Sequence, residues 1–298
     1  MQIMYKGNWT QKERGKTVQE LFSKEIEESE VEVIACRFDN EVKRLDYRLE
    51  REGELELVDI STKDGMRIYR RGLLYIVSKA LYETYPDALL TVNYQLQHAL
   101  LCELENMEMT EEMLESVNRR VQEIIQEDIP IIKKSMTKEE ARMFYADKKT
   151  RRGRLQLDAK DKRDVTLYYA GEYFNYFYGI LPLSTGYVRE YELVKYHDGF
   201  LIRFPSSKSP TVLNEFVESP KLLEALDRQE DVHKLLGINT VERLNKSIRD
   251  GKIKEYMLLD EALQEKKISK IADCIASNKD IRVIAIARTI FFRENNFF

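Results

Sequence analysis

The alternation of apolar and polar residues divides the first part of the chain into a strand-rich stretch and a helical one. Up to about residue 60, short apolar runs at 31–37 and 55–58 predict strands, with a short helix near 18–21. From Asp64 to the region of Pro86, apolar residues recur at helical spacing. The pattern predicts a long helix with Asp64 as its N-cap.

The next stretch alternates strands and helices. Residues 89–104 have the pattern of strands, and a helix is expected to begin near Thr110. Thr137 and Glu140 have the spacing of a capping box, which predicts another helix directly after them. Strands and helices in this order favour a mixed α+β fold.

Aromatic residues are densest between 168 and 205. Their alternation over 173–178 predicts a strand covered on both faces, and His197-Asp198-Gly199 predicts a hairpin turn. Beyond 205 the spacing becomes helical, and a short apolar run at 281–287 is typical of a buried strand. The predicted helices lie at 212–236, 241–249 and 260–276.

Composition narrows the class of protein. A formal net charge of -4 over 298 residues argues against a general nucleic-acid coat. Cys36, Cys102 and Cys274 are widely spaced and odd in number, which indicates free thiols of a reducing compartment. No apolar run approaches membrane length and the N-terminus lacks a signal-peptide pattern. We therefore expect a cytoplasmic protein without a membrane partner.

Two stretches resemble parts of tRNA synthetases. Residues 18–21, 35–42 and 54–57 resemble the TGS domain, a ubiquitin-like β-grasp module of threonyl-tRNA synthetases. Glu172-Tyr173 and the residues around them resemble the end of the second additional domain, the editing domain, of threonyl- and alanyl-tRNA synthetases. The resemblance implies a small β-grasp domain followed by an editing-type α+β domain.

The editing domain carries a zinc site, and the resemblance assigns its four ligand positions to residues of this chain. They fall on Arg71, Tyr75, Phe177 and Leu181. Zinc is bound by thiolate, imidazole or carboxylate, and none of these side chains supplies one. The resemblance therefore implies an editing-type fold without zinc, and we expect no metal site.

The C-terminal part is similar to another family. Residues 237–248, 260–275 and 281–287 resemble the junction in bacterial uridine kinase-like nucleoside kinases, which place TGS and editing-type domains ahead of a P-loop kinase domain. A P-loop needs GxxxxGK[ST], and this chain has no such motif. The resemblance implies the N-terminal region of such a kinase without the kinase domain, so ATP and Mg²⁺ are implied only for the missing domain and no cofactor for this chain.

These observations lead to one main interpretation. The fold class is α+β, with a ubiquitin-like β-grasp TGS domain, an editing-type domain without zinc ligands and a helical tail. The main hypothesis is a non-catalytic ligand-binding or regulatory region of a uridine kinase-like protein; the alternative is a tRNA-binding or aminoacyl-tRNA editing-like module. Whether the chain is an enzyme stays open. The predicted boundaries are 1–60, 61–205, 206–280 and, for the remnant first strand of a kinase domain, 281–298.

Candidate binding residues cluster in three places. The predicted cleft for a nucleoside, nucleotide or amino-acid effector is lined by Arg67, Arg70, Arg71, Tyr75, Tyr173 and Phe177. A solvated or ion-paired face is the alternative for the arginines, and a buried strand for the aromatic residues. The residues that could contact RNA phosphates, unless they form an ordinary charged loop, are Lys148, Lys149, Arg151, Arg152 and Arg154. The C-terminal residues 291, 292, 297 and 298 are phenylalanines, which suggests self-association or docking. His98 and His197 are expected to be structural.

Overall fold

The protein has a mixed α+β architecture, as the sequence predicts. The computed structural model describes residues 1–147, 157, 163–278 and 280. Contacts divide the chain into two compact units, Met1–Pro220 and Lys221–Phe298. Within the ranges described, no helix is both long enough and apolar enough to cross a membrane.

The N-terminal residues form a five-stranded sheet with strand order β2-β1-β5-β3-β4. Strands β1 and β5 run parallel, and the other neighbours are antiparallel. The sheet has its own buried core, which includes Ile3, Phe22 and Leu55. Its strands are β1 Gln2–Tyr5, β2 Asn8–Gln11, β3 Val33–Phe38, β4 Glu41–Lys43 and β5 Gly53–Asp59, and its helices are α1 Val18–Leu21 and α2 Ser23–Glu27. The strands predicted at 31–37 and 55–58 are confirmed as β3 and β5.

The long predicted helix is α3, Lys63–Thr84, but the prediction of its N-cap is wrong. Thr62 has an extended backbone and its hydroxyl accepts a 3.0 Å hydrogen bond from the amide of Gly65. Asp64 already lies within the first helical turn, where its carboxylate accepts a 2.9 Å hydrogen bond from Arg37. A cap residue must stand outside the helix, so Thr62 takes that role.

A four-stranded antiparallel sheet with the order β11-β12-β7-β6 packs against one face of α3. Leu73 and Val77 of the helix share a core with Cys102 and Phe200 of the sheet. His197 adopts φ 47° in the tight turn between β11 and β12, which confirms the predicted hairpin. The elements are β6 Leu90–Leu96, β7 Ala99–Leu104, α4 Glu111–Gln126, β11 Glu192–Tyr196 and β12 Gly199–Arg203.

A three-stranded sheet with the order β10-β9-β8 supplies residues that pack against Tyr75 of α3. The predicted capping box is confirmed: Thr137 and Glu140 exchange hydrogen bonds between side chain and backbone. The predicted aromatic strand is confirmed over Tyr173–Tyr176, where most side chains are buried, but it ends before residue 178, and Tyr178 is exposed. The elements are β8 Ile132–Thr137, α5 Lys138–Asp147, β9 Asp164–Ala170 and β10 Tyr173–Tyr176.

The second unit is helical. Its helices are α6 Pro220–Leu236, α7 Val241–Arg249 and α8 Ile253–Ser277. The predicted start of the first at 212 is wrong, because the helix begins at Pro220, a residue favoured in the first turn. The predicted boundaries of α7 are confirmed, and α8 starts before the predicted residue 260. The predicted strand at 281–287 and the phenylalanines after it lie outside the described residues.

Candidate functional site

The four positions that the resemblance assigns to zinc ligands lie together in the fold. The rings of Tyr75 and Phe177 have centroids 5.4 Å apart, and Leu181 is buried in the same apolar cluster as Tyr75. A Cβ atom added at Gly179, between Phe177 and Leu181 in sequence, would lie 2.8 Å from Cζ of Arg71. Residues from α3 and from the segment after β10 therefore meet at one place.

The side chains at this place do not fit zinc. A guanidinium, a phenol, a phenyl ring and an isobutyl group offer no thiolate, imidazole or carboxylate. Across the described part of the chain, no group of three or more His, Cys, Asp or Glu residues is arranged to hold a metal ion. Instead, apolar packing fills the space.

The aromatic residues form a hydrogen-bonded core. The hydroxyl of Tyr75 donates to the backbone oxygen of Tyr168 at 3.0 Å, and the hydroxyl of Tyr168 donates to the oxygen of Gly179 at 2.7 Å. Tyr173 is 5% exposed and its hydroxyl accepts from Asn175 at 3.1 Å. Burial raises the pKa of Tyr75 and of Tyr173 above the usual value, so both phenols stay neutral. Tyr75 and Tyr173 are thus core residues and do not line an open cleft.

Arg71 lies at the rim of this aromatic core. It is half-buried, and in the part of the chain that the structure describes it forms no ion pair and no hydrogen bond. Burial, and then the charge of Arg67, lower the pKa of Arg71. The phenol of Tyr178 is close enough to act on this pKa, and Tyr178 is 56% exposed. The rim therefore presents a guanidinium that has no hydrogen-bond partner among the described residues, beside the ring of Tyr178, which is more than half exposed.

The other two arginines of the predicted cleft lie elsewhere. Arg70 donates to the side chain of Gln95 and its Cζ is 6.0 Å from the ring centroid of Phe204, on the side of the four-stranded sheet. Arg67 is exposed and pairs with Asp64 at 3.2 Å. Successive helical residues are about 100° apart, so Arg70 and Arg71 serve different surfaces. The structure joins Arg71, Tyr75, Tyr173 and Phe177, but places Arg67 and Arg70 in a separate groove.

That separate groove contains residues that the sequence did not single out as binding residues. It lies between the start of α3 and the turns that follow β6 and β12. His98 is exposed there and its ring meets Phe204 edge to face at 6.3 Å. The lining residues are distant in sequence, so no spacing could have revealed them. The predicted RNA-contacting residues, Lys148, Lys149, Arg151, Arg152 and Arg154, lie outside the described residues.

Arg44 links the N-terminal sheet to the aromatic core. It is 6% exposed, and its guanidinium donates to the backbone oxygen of Ile131 at 2.7 Å and pairs with Asp46 at 3.2 Å. The Cζ atom lies 5.9 Å from the ring centroid of Tyr168. The rim near Tyr168 is thereby held by residues of both regions.

Comparison with curated proteins finds several threonine–tRNA ligases among the relatives of this chain. Threonine–tRNA ligase of Haloarcula marismortui is 26% identical over 188 residues, which covers 59% of this chain and 29% of that protein. The enzyme of Rubrobacter xylanophilus is 27% identical over 165 residues, covering 54% of the chain and 25% of the relative. Threonine–tRNA ligase 1 of Bacillus subtilis is 25% identical over 156 residues, covering 51% and 24%.

The chain is homologous to the N-terminal region of threonine–tRNA ligases. No protein-family model matches it. The aligned part spans only 29%, 25% and 24% of these three relatives. The fold expected from the synthetase resemblance is supported by this homology. The predicted kinship with nucleoside kinases gains no support, since these three relatives are all ligases.

Proposed function

We propose that this chain is a non-catalytic RNA-binding module that holds the unpaired 3′ end of a tRNA at the Arg71 rim. The observation that carries the proposal is the pairing of Arg71, whose donors are free within the described residues, with the exposed ring of Tyr178. Homology to proteins that are named for tRNA supports the choice of ligand. This function corresponds to the predicted alternative rather than to the main kinase hypothesis.

The chemistry of the rim suits single-stranded RNA. A guanidinium forms charge-assisted hydrogen bonds with phosphate oxygens, and an exposed aromatic ring stacks on an unpaired base. A half-buried cation such as Arg71 gains more from an anion than a fully solvated one, because water screens the interaction less. The aromatic core beneath the rim keeps both groups in place without taking part in chemistry.

The test is a fluorescence-anisotropy titration with a tRNA transcript and with the same transcript lacking its unpaired 3′ nucleotides. We expect affinity for the full transcript to fall as salt rises. Arg71→Met should make the slope of log affinity against log salt shallower by about 0.7, the value for one phosphate contact in a single strand. Tyr178→Ala should weaken binding by about 1–3 kcal/mol without changing that slope.

Arg14→Met is the matched control, because it removes one exposed arginine from the N-terminal region. Equal affinity for the full and shortened transcripts would contradict the proposal, as would an Arg71→Met slope equal to the wild-type slope. A deacylation assay with aminoacyl-tRNA separates binding from editing. We expect bound aminoacyl-tRNA to hydrolyse at the rate of free aminoacyl-tRNA.

A second proposal is that the module regulates a uridine kinase-like protein. It rests on the similarity of residues 237–248 and 260–275 to that family. These residues form α7 and most of α8 in the helical unit. The DNA sequence downstream of the codon for residue 298 provides the test. An in-frame GxxxxGK[ST] motif would support the kinase attachment, and a frame without it would oppose it.

A further inference from the structure

A cationic groove of about 190 Å³ lies beside the first turns of α3, on the side of the four-stranded sheet. Its polar lining comes from three segments of the chain that are remote in sequence. The polar residues are Lys63, Arg67, Arg70, Gln95, His98 and Ser207. Met66 and Phe204 form the apolar part of the lining, and both are buried. The groove is separate from the rim at Arg71, which does not line it.

Several hydrogen-bond donors that line the groove have no partner among the described residues. Among the described residues, the side chains of Lys63, His98 and Ser207 have no hydrogen-bond or ion-pair partner. Arg70 donates to the neutral amide of Gln95, a partner that does not balance its charge. The groove therefore combines cations from one helix with donors from two turns.

Among the described residues, acidic side chains neutralise these cations only in part. Asp64 pairs with Arg67 at 3.2 Å, but the same carboxylate also accepts from Arg37 at 2.9 Å. Arg70 is half-buried, and burial, with the charges of Arg71 and Arg67, lowers its pKa. The positive end of the dipole of α3, which is 22 residues long, points to the same region. An anion in the groove would relieve this accumulation of positive charge.

The volume of the groove limits the size of the anion that it can enclose. Pockets for drug-sized ligands measure about 300–1,000 Å³, which is larger than this groove. Phe204 is 3% exposed, so its ring offers no face on which a base could stack. The groove has the donors for a phosphate group but lacks the room and the platform for a whole nucleotide.

We propose that this groove binds the terminal phosphate of a phosphate monoester, with Lys63, Arg70 and His98 as its main contacts. The fork of Arg70 and the ammonium of Lys63 match a dianion, and the His98 ring and the Ser207 hydroxyl add further hydrogen-bond donors. The monoester belongs either to a free mononucleotide or to the 5′ end of an RNA. The chemistry recognised is the same in both cases.

The experiment is isothermal titration of the full chain with inorganic phosphate, adenosine 5′-monophosphate and adenosine. We expect phosphate and the monophosphate to bind and adenosine not to bind. Arg70→Met and Lys63→Met should each weaken binding by about tenfold, the loss of one charge-assisted hydrogen bond. His98→Gln alters an exposed residue, so it tests the groove without threatening the fold.

Arg119→Met is the matched control, because it removes one exposed arginine from α4, away from the residues that line the groove. Phosphate affinity that is unchanged in Arg70→Met and His98→Gln, or lowered as much by Arg119→Met, would overturn the proposal. This result is independent of the proposed RNA function, since phosphate binding at Arg70 persists even if no tRNA binds at Arg71.

RNA hairpins with a 5′-phosphate or a 5′-hydroxyl identify the source of the monoester. An RNA source predicts tighter binding of the phosphorylated hairpin and loss of that preference in Arg70→Met. A free nucleotide predicts equal binding of the two hairpins together with competition between phosphate and adenosine 5′-monophosphate. Absence of both patterns would count against the groove as a phosphate site.

Discussion

The hydroxyl of Tyr75 donates a 3.0 Å hydrogen bond to the backbone oxygen of Tyr168, and this bond connects α3 to β9 inside the aromatic core. Both residues are at most 1% exposed. A phenol in an apolar core needs a partner, because an unpaired buried hydroxyl is costly. The bond thus lets Tyr75, at a position that the synthetase resemblance assigns to a zinc ligand, act as a structural link between a helix and a sheet.

Removing this hydroxyl should lower stability modestly. In Tyr75→Phe the ring still packs against Tyr173 and Phe177, so the loss is one buried hydrogen bond, about 1 kcal/mol of unfolding free energy in a urea titration. Tyr47→Phe is the control, since the hydroxyl of the half-buried Tyr47 has no hydrogen bond within the described residues and its loss should change stability by no more than about 0.5 kcal/mol. Equal effects of the two variants would show that the bond contributes nothing.

Alanine substitutions at Gly179 and Gly171 distinguish two effects on tRNA binding. One is backbone strain, which both substitutions introduce, and the other is displacement of Arg71, which only the first should cause. Both glycines have positive φ, 84° and 63°, so alanine at either position should cost about 1–2 kcal/mol. A Cβ at Gly179 would crowd the Arg71 guanidinium, whereas one at Gly171 meets no atom within 4 Å. We expect Gly179→Ala alone to weaken binding of the tRNA transcript. If Gly171→Ala weakens it equally, the contact with Arg71 is not responsible.

Helical periodicity predicts α3 because its apolar residues recur on a broad face. The same periodicity separates Arg70 from Arg71, but it does not say which sheet each residue meets. That depends on packing between segments that are far apart in sequence, such as α3 and the turn that contains His98. The resemblance to synthetases predicted that residues 71, 75, 177 and 181 lie close together. The side-chain types at these positions did not predict it. The N-cap was misplaced because Thr62 and Asp64 are both good capping residues.

The three cysteine thiols should differ sharply in their reactivity toward a disulfide reagent. Burial raises the pKa of Cys36 to about 12, and it also raises the pKa of Cys102. A higher pKa means less thiolate at a given pH, and thiolate is the nucleophile. At pH 8 we expect a disulfide reagent to label the exposed Cys274 rapidly and the other two only after unfolding. Rapid labelling of all three cysteines in the native protein would show that the two cores are open.

Removing metal should have no effect on the wild-type protein, whose side chains at the four positions that the resemblance assigns to zinc ligands cannot bind zinc. Arg71, Tyr75, Phe177 and Leu181 lack the donors that zinc requires. We expect EDTA to leave both the thermal midpoint and the affinity for tRNA unchanged. A fall in either on chelation, restored by zinc, would reveal a metal site elsewhere in the chain.

Introducing zinc ligands at these four positions should create a metal site, because the four positions already lie together in the fold. The variant Arg71→His, Tyr75→His, Phe177→Cys, Leu181→His loses the packing of two large rings and one leucine, so we expect it to be much less stable than the wild type without metal. Zinc should then bind at one equivalent and raise the thermal midpoint, since metal binding to a site absent from the unfolded chain stabilises the fold. Refolding in the presence of zinc covers the case in which the apo variant does not fold. The same variant with Phe177→Ser in place of Phe177→Cys is the control, and it should bind zinc far more weakly because a thiolate is lost. Equal zinc binding by the two variants would mean that these positions do not form the site that the synthetase resemblance implies.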